Sequence, residues 1–204
     1  MRMRKKPNLL PRMENCSAVQ IQTPEELRGN WKNTFSDYKE IRMELGCGKG
    51  RFTCEQALRD PEMMLIAIEK VPDAMVVAME RVCQQNIPNV RFLDRDAELL
   101  PDMFNPGEIS RIYINFPDPW PKKKQFKRRL TAPAFLDRYK ALLPEGGEVW
   151  FKSDNGPLFD WSLESFRANG WTLKEMPEGT PMTDYEAKFT EQGLPIHRIV
   201  AVRP

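Results

Sequence analysis

The chain has 204 residues and a formal net charge of +2; this length suits one domain with a single core, and any binding to nucleic acid must depend on where the cations cluster. Its four cysteines include no CxxC pair and its one histidine, His197, cannot complete a Cys/His zinc set, so no metal is expected. Without a signal-peptide pattern or an apolar run of roughly 18 residues, we expect a soluble cytoplasmic protein that makes no membrane contact; monomer and homodimer both remain open.

The first 30 residues are polar, punctuated by proline and basic at their start, where four of the first six residues are cations. A basic arm that becomes ordered on RNA has this composition, and so does an ordinary frayed terminus. We expect residues 1–30 to form a basic, flexible N-terminal arm and residues 31–204 to form the single domain.

A predicted strand, 41–45, leads into a helix through a turn with glycines at positions 46, 48 and 50. Glycines in such a turn let the backbone approach a ligand closely at a helix N-terminus. Glu44, two residues before the first glycine, would repel a pyrophosphate but would attract an ammonium or, through a neighbour, a sulfonium. The pattern therefore favours a cationic amino acid joined to a nucleoside over a dinucleotide.

Acidic residues follow the next two predicted strands, 63–68 and 90–93. Glu69 ends the first of these strands about 20 residues after the glycine turn, where a carboxylate can bind both hydroxyls of a ribose. A surface ion pair is the alternative for Glu69. Beyond the second strand, Asp94 or Asp96 can accept from an adenine amino group, and a helix N-cap is the alternative for either residue.

A proline-rich segment with a basic continuation follows a fourth predicted strand, 109–114. Each of its three alternating prolines disfavours helix for the residue before it, so Phe116, Asp118 and Trp120 are expected to be extended. Residues 122–129 then carry six cations in eight positions. One carboxylate, one indole and a cationic run suit an anionic polymer that carries planar bases. The alternative is a proline-stiffened loop before a solvated basic helix.

The rest of the chain continues the alternation of strands and helices. The last two strands lack a helix long enough for a crossover between them, which favours antiparallel pairing. The remaining predicted elements are a helix over 134–143 capped by Thr131, a strand over 148–152, a helix over 158–169, strands near 171–175 and 197–202, and a short helix capped by Thr183.

These features together resemble the class I S-adenosylmethionine-dependent methyltransferases. More narrowly, the runs Phe116-Pro-Asp-Pro-Trp-Pro-Lys122, Lys127-Arg-Arg129, Lys152-Ser-Asp154 and Thr183-Asp-Tyr-Glu186 are similar to those of the bacterial tRNA (guanine-N7-)-methyltransferase family. The chain departs from that family where Gln125 and Phe126 replace its usual histidines. The resemblance implies an α/β Rossmann-like fold with a mostly parallel seven-stranded sheet, an antiparallel C-terminal strand and helices on both faces. It also implies S-adenosylmethionine as cofactor, S-adenosylhomocysteine as its product, and a guanine in the tRNA variable loop as the methyl acceptor.

The resemblance also assigns roles to individual residues. The implied cofactor-binding residues are Glu44, Gly46, Gly48, Glu69, Asp96 and Asp118, and Asp118 is also the implied catalytic residue. The implied substrate-binding residues are Lys122, Asp154, Thr183, Asp184, Tyr185 and Glu186, and the implied RNA-binding residues are Lys124, Lys127, Arg128 and Arg129.

Methylation at guanine N7 would need orientation rather than a general base, because the N7 lone pair is unprotonated at neutral pH. Asp118 is the candidate for favouring the charge that moves from the sulfonium to the purine. A paired, stacked purine is difficult to align with a methyl group inside a pocket. We therefore expect a partly unstacked target base, with Trp120 or Tyr185 as the stacking platform.

Three other functions remain open from the sequence. A nicotinamide oxidoreductase would use the same sheet, although the glycine spacing and Glu44 disfavour it. A non-catalytic RNA-binding module would use the basic run alone. A methyltransferase acting on another RNA, a small molecule or a protein is the nearest alternative, and a steep salt dependence of activity would argue for a nucleic-acid substrate.

Overall fold

The computed structural model describes residues 5–204, in which seven strands form one mixed sheet. The strands are β1 Glu40–Leu45, β2 Met63–Ile68, β3 Val90–Leu93, β4 Arg111–Asn115, β5 Glu148–Ser153, β6 Thr172–Lys174 and β7 His197–Val202. The helices are α1 Leu9–Asn15, α2 Trp31–Thr34, α3 Arg51–Arg59, α4 Pro72–Gln84, α5 Leu100–Met103, α6 Pro133–Leu142, α7 Gly156–Ala168 and α8 Asp184–Glu191.

The strand order is β3-β2-β1-β4-β5-β7-β6. Strands β1 to β5 are parallel, whereas β7 runs antiparallel to both β5 and β6. This confirms the predicted mostly parallel sheet with antiparallel pairing at its C-terminal edge. The order reverses between β1 and β4, which is where open α/β sheets bind ligands beyond the carboxyl ends of their strands.

The sheet is covered on both faces, as a parallel sheet requires. All six residues of β2 are buried, which explains why this strand is a continuous apolar run. One apolar layer packs α5, α6 and α7 against one face, and a second layer packs α3 and α4 against the other. The register pairs Leu45 with both Ile68 and Ile114, and Ile68 with Leu93. The four strands β1 to β4 therefore end at one edge, and the residues after each end lie close together.

The described part of the predicted N-terminal arm packs against the domain. The Arg12 guanidinium on α1 pairs with Glu80 of α4 at 2.7 Å, and the backbone N–H of Ile21 donates to the carbonyl of Phe92 at 3.0 Å. These contacts join the described part of the first 30 residues to the domain, and no break in packing marks residue 30. The cations Arg2 and Arg4 of the predicted arm lie outside the described residues.

The predicted cap of α6 is wrong. The helix begins at Pro133 with Ala132 as its N-cap residue, while the Thr131 hydroxyl is buried and lies 2.7 Å from the hydroxyl of Ser162 on α7. Proline supplies a suitable first helical residue without a side-chain cap. Separately, none of the helices within residues 5–204 combines the length and the apolar character needed to span a membrane.

Candidate active site

A cleft of about 480 Å³ opens at the carboxyl ends of β1, β2, β3 and β4. Its volume lies within the range of about 300–1,000 Å³ that is usual for small-ligand sites. Three of the four carboxylates implied at the cofactor line it, namely Glu69, Asp96 and Asp118. Residues that follow three different strands therefore meet in one cavity.

The glycine turn after β1 forms one wall of the cleft. Gly46, Gly48 and Gly50 all adopt positive φ, at 79°, 57° and 78°, which residues with a Cβ rarely adopt. A Cβ built on Gly46 would meet no protein atom within 4 Å, and Gly46 lines the cleft. A side chain at this position would therefore occupy space that a ligand could use.

Glu69 is fixed in the cleft wall by two backbone donors. The Gly48 N–H donates to its Oε2 at 3.0 Å and the Val71 N–H donates to its Oε1 at 2.9 Å. Burial raises the pKa of Glu69, and the two N–H groups oppose that rise. Each oxygen keeps a lone pair for a further donor. A held, partly desolvated carboxylate of this kind fits the two hydroxyls of a ribose.

Glu44 does not line the cleft but lies buried near it, 1% exposed. The Thr53 hydroxyl donates to its Oε2 at 2.6 Å, and the Asn115 amide donates to its Oε1 at 3.2 Å. Burial raises the pKa of Glu44 to about 7, even though both hydrogen bonds lower it. Glu44 therefore lies behind the cleft wall rather than in it, and its implied cofactor contact stays a prediction.

Asp96 both caps a helical turn and lines the cleft. Its Oδ1 accepts from the backbone N–H of Glu98 at 3.0 Å, and its Oδ2 lies 3.4 Å from the Lys70 Nζ. The capping alternative is therefore correct for Asp96. The carboxylate is also part of the cleft lining, so the cap orients it without removing it from the site.

The proline segment departs from its predicted conformation. Phe116 and Trp120 have positive φ, 52° and 42°, so the prediction that they are extended is wrong. A residue before a proline is disfavoured in the right-handed helical region, and here Phe116 and Trp120 adopt the left-handed region instead. Such residues cost about 1–3 kcal/mol each and are concentrated at functional sites. The Asp118 side chain is exposed on this segment and makes no hydrogen bond or ion pair within residues 5–204.

Arg129 accounts for the shape of the proline segment. It is 5% exposed, and its guanidinium donates to the carbonyls of Pro119 and Trp120 at 2.9 and 3.3 Å. The same group lies 3.7 Å from the ring centroid of Phe126 and 4.5 Å from that of Trp161. Burial lowers the pKa of Arg129. The Arg129 cation thus faces the protein in this structure.

The other cations of the basic run face outward. Lys122, Lys124, Lys127 and Arg128 are all exposed, on or next to a 3₁₀ helix, Lys123–Arg128. Arg128 also lines the cleft. The exposed cations therefore begin at the cleft mouth, where an anionic polymer would lie if one of its bases entered the cavity.

The residues of the run Thr183–Glu186 each make a different contact with the protein. Thr183 caps α8, as predicted, with its hydroxyl 2.9 Å from the backbone nitrogen of Glu186. Asp184 pairs with Arg81 of α4 at 2.8 Å. The Tyr185 hydroxyl donates to Asp154 at 3.0 Å, and burial together with this carboxylate raises the pKa of Tyr185 to about 12. None of these residues lines the cleft.

Glu186 belongs to a buried ionic group, and it also lines a second cavity of about 740 Å³. Its carboxylate accepts from the Lys152 Nζ at 3.0 Å and from Arg198 at 2.8 Å. The Lys152 Nζ also donates to the Pro181 carbonyl at 2.8 Å, and burial lowers the pKa of Lys152. The sequence predicted a substrate contact for Glu186, whereas the structure places it 1% exposed, joining α8 to β5 and β7.

The buried ion pair of Lys152 was not predicted from the sequence, although the run Lys152-Ser-Asp154 is part of the family resemblance. A lysine that continues an apolar strand beyond Phe151 is a signal of a buried partner, since lysine is almost never fully buried unless paired. Within the described residues, no group of three His, Cys, Asp or Glu side chains has a geometry that could hold a metal ion.

The fold and the cleft together define a class I methyltransferase. The chain superposes on the 16S rRNA methyltransferase KamB with a TM-score of 0.66 at 14% identity, covering 86% of this chain and 94% of that one; at this identity the likeness concerns the fold alone. Residues 38–199 match a family model described as a putative methyltransferase.

The chain belongs to the tRNA (guanine-N7-)-methyltransferase family. It is 42% identical to the tRNA (guanine-N(7)-)-methyltransferase of Listeria monocytogenes and 41% identical to that of Listeria welshimeri. Each alignment covers 98% of this chain and 98% of the relative.

Proposed function

We propose that this chain transfers a methyl group from S-adenosylmethionine to N7 of a guanine in the variable loop of tRNA. The observation that carries the proposal is a single cleft lined by Glu69, Asp96 and Asp118, with exposed cations of the basic run at its mouth. The relatives named tRNA (guanine-N(7)-)-methyltransferase support the same acceptor. The free thiols of all four cysteines suit the cytoplasm, where we place the reaction.

The residues of the cleft fit the proposed cofactor. The carboxylate of Glu69 is held to accept from ribose hydroxyls, and Asp96 lies on the same wall for an adenine amino group. The carboxyl of Glu44 is buried beside the glycine turn, and its ionised form, which gains population as the pH rises through about 7, adds negative potential there. When bound, S-adenosylmethionine supplies an electrophilic methyl group on a sulfonium.

Asp118 is the proposed catalytic residue. Its exposed carboxylate lines the cleft, and no partner among residues 5–204 occupies it. It is therefore available to accept from the base edge of guanine and so to orient N7. A fixed negative charge there also stabilises the positive charge that develops on the purine. No side chain has to remove a proton, so the single histidine is no obstacle to this chemistry.

The test is incubation of the protein with labelled cofactor and unmodified tRNA transcript, followed by mapping of the methylated nucleotide. We expect N7-methylguanosine at one variable-loop position. Asp118→Asn should lower kcat at least about 100-fold with both substrates saturating, in the range of a lost electrostatic contact at a developing charge. Asp102→Asn, on the short helix α5 and outside the cleft lining, is the matched control. Label in another nucleotide, or full turnover by Asp118→Asn, would contradict the proposal.

A further inference from the structure

Trp120 is an aromatic side chain on the cleft wall whose position is set by its backbone. Its φ of 42° turns the residue out of an extended path, and the guanidinium of Arg129 holds the carbonyls of Pro119 and Trp120. The indole lines the same cleft as Asp118, two residues earlier. A large flat ring is therefore fixed beside the carboxylate that would orient the acceptor base.

The indole ring is covered by a cation in this structure. The Arg128 guanidinium carbon lies 5.0 Å from the Trp120 ring centroid. Arg128 is exposed, lines the cleft, and makes no ion pair with a carboxylate within residues 5–204. Because Arg128 is exposed and the Trp120 ring is half-buried, this cation–π contact contributes only about 0.5–2 kcal/mol. A phosphate group could therefore draw Arg128 away from the ring at small cost.

Tyr185 is the rival platform, but its ring lies outside the cleft lining. Its ring lies 5.3 Å from that of Phe116 and 4.4 Å from that of Phe189, measured between centroids. Its hydroxyl is held by Asp154. Tyr185 thus contacts two aromatic rings and stays 44% exposed, but it does not line the cleft as Trp120 does.

From this geometry we infer that the Trp120 indole is the stacking subsite for the acceptor purine, and that Arg128 and the purine alternate on this ring. Without RNA, Arg128 covers the ring. When RNA binds, Arg128 moves to a phosphate, and the unstacked purine takes its place on the indole next to Asp118. This inference rests on the proposed function, since it needs an RNA base in the cleft.

Kinetics on two Trp120 variants test the platform. Base-aromatic stacking contributes enough that Trp120→Leu should lower kcat/KM for tRNA about 5- to 140-fold. Trp120→Phe retains an aromatic face and should lose much less, and the KM for S-adenosylmethionine should stay unchanged in both. Trp150→Leu is the matched control, because Trp150 also lies under an arginine, Arg111, with 4.5 Å between guanidinium carbon and ring centroid, but outside the cleft lining.

A fluorescent base reports the stacking directly. The methylated guanine, once mapped, is replaced in the transcript by 2-aminopurine, whose emission is quenched when it stacks. The complex with wild type should emit less than the complex with Trp120→Leu. Equal emission from the two complexes would overturn the inference, as would a rise in the KM for S-adenosylmethionine that accompanies an unchanged kcat/KM for tRNA, because the ring would then serve the cofactor.

If Arg128 leaves the ring for a phosphate, removing its side chain should strengthen inhibition by guanosine and weaken the binding of tRNA. Arg128→Ala uncovers the ring, so guanosine, which has no phosphate, should inhibit this variant at a lower concentration than it inhibits wild type. The same variant should bind tRNA more weakly, with a salt slope reduced by about 0.7 to 0.9. Weaker inhibition by guanosine would overturn the exchange. If wild type methylates no tRNA, the proposed function fails; if it does and Trp120→Leu equals it, only the stacking subsite fails.

Discussion

The buried carboxyl of Glu44 should give the stability of this protein a distinct pH dependence. Burial raises its pKa from the ordinary value of 4.5 to about 7. A carboxyl with a higher pKa in the folded than in the unfolded state binds a proton on folding. Its contribution is therefore fully present below the unfolded pKa and is lost as the pH rises through the folded pKa. Over that interval the free energy of unfolding should fall by about 3 kcal/mol through Glu44.

Glu44→Gln removes the ionisation and keeps the shape of the side chain. Unfolding in urea, followed by circular dichroism from about pH 4.5 to 8, gives the free energy of unfolding for both proteins. The wild-type value minus the variant value should fall by about 3 kcal/mol across this range. Glu69 is present in both proteins, so the difference between their free energies of unfolding reports the ionisation of Glu44, including its repulsion with Glu69.

Glu62→Gln serves as the control, because Glu62 is 69% exposed and, among residues 5–204, pairs with the exposed Lys39 alone. Its difference curve should be nearly flat, since exposed ion pairs contribute about 0–1 kcal/mol. A flat curve for Glu44→Gln as well would refute the reasoning, because the Glu44 carboxyl would then ionise as easily in the folded as in the unfolded protein.

Two further predictions concern cations that face inward. Arg129→Gln should lower kcat for tRNA methylation and leave the salt slope of tRNA binding unchanged. Lys127→Gln, at an exposed cation, should reduce that slope by about 0.7 to 0.9. Equal changes of slope for the two variants in binding titrations would mean that Arg129 contacts phosphate. Lys152→Met should destabilise the protein by about 3 kcal/mol in urea unfolding, the lower end of the cost of breaking a buried pair, because Arg198 still faces Glu186. A loss below about 1 kcal/mol would contradict this expectation.

The sheet was predictable because its signals are local. Strand β2 is a fully apolar run, and turn residues interrupt the chain between elements. Residues that follow parallel strands meet at one edge of the sheet because these strands share a direction. Glu69, directly after β2, could therefore be placed at this edge from its position, whereas Asp118, three residues after β4, was implied there by the family resemblance.

The orientation of individual cations was not predictable in the same way. Nothing near Arg129 in the sequence separates it from Arg128, yet one is buried and the other is exposed. The difference arises from Trp161 on α7, which closes the far side of the Arg129 guanidinium. Pairings across such long separations depend on tertiary packing, and sequence patterning reads mainly periodicity along one element.

The contacts of Arg129 also explain how the strained proline segment persists. Two left-handed residues, Phe116 and Trp120, cost about 2–6 kcal/mol together. The two hydrogen bonds that Arg129 donates to the carbonyls of Pro119 and Trp120 hold the segment at the second of these residues. One buried cation, Arg129, thus fixes the segment on its protein-facing side. Because methylation at N7 requires orientation and no proton transfer, a rigid mount for Asp118 is the feature that the reaction needs, and the neighbouring exposed cations stay available to RNA.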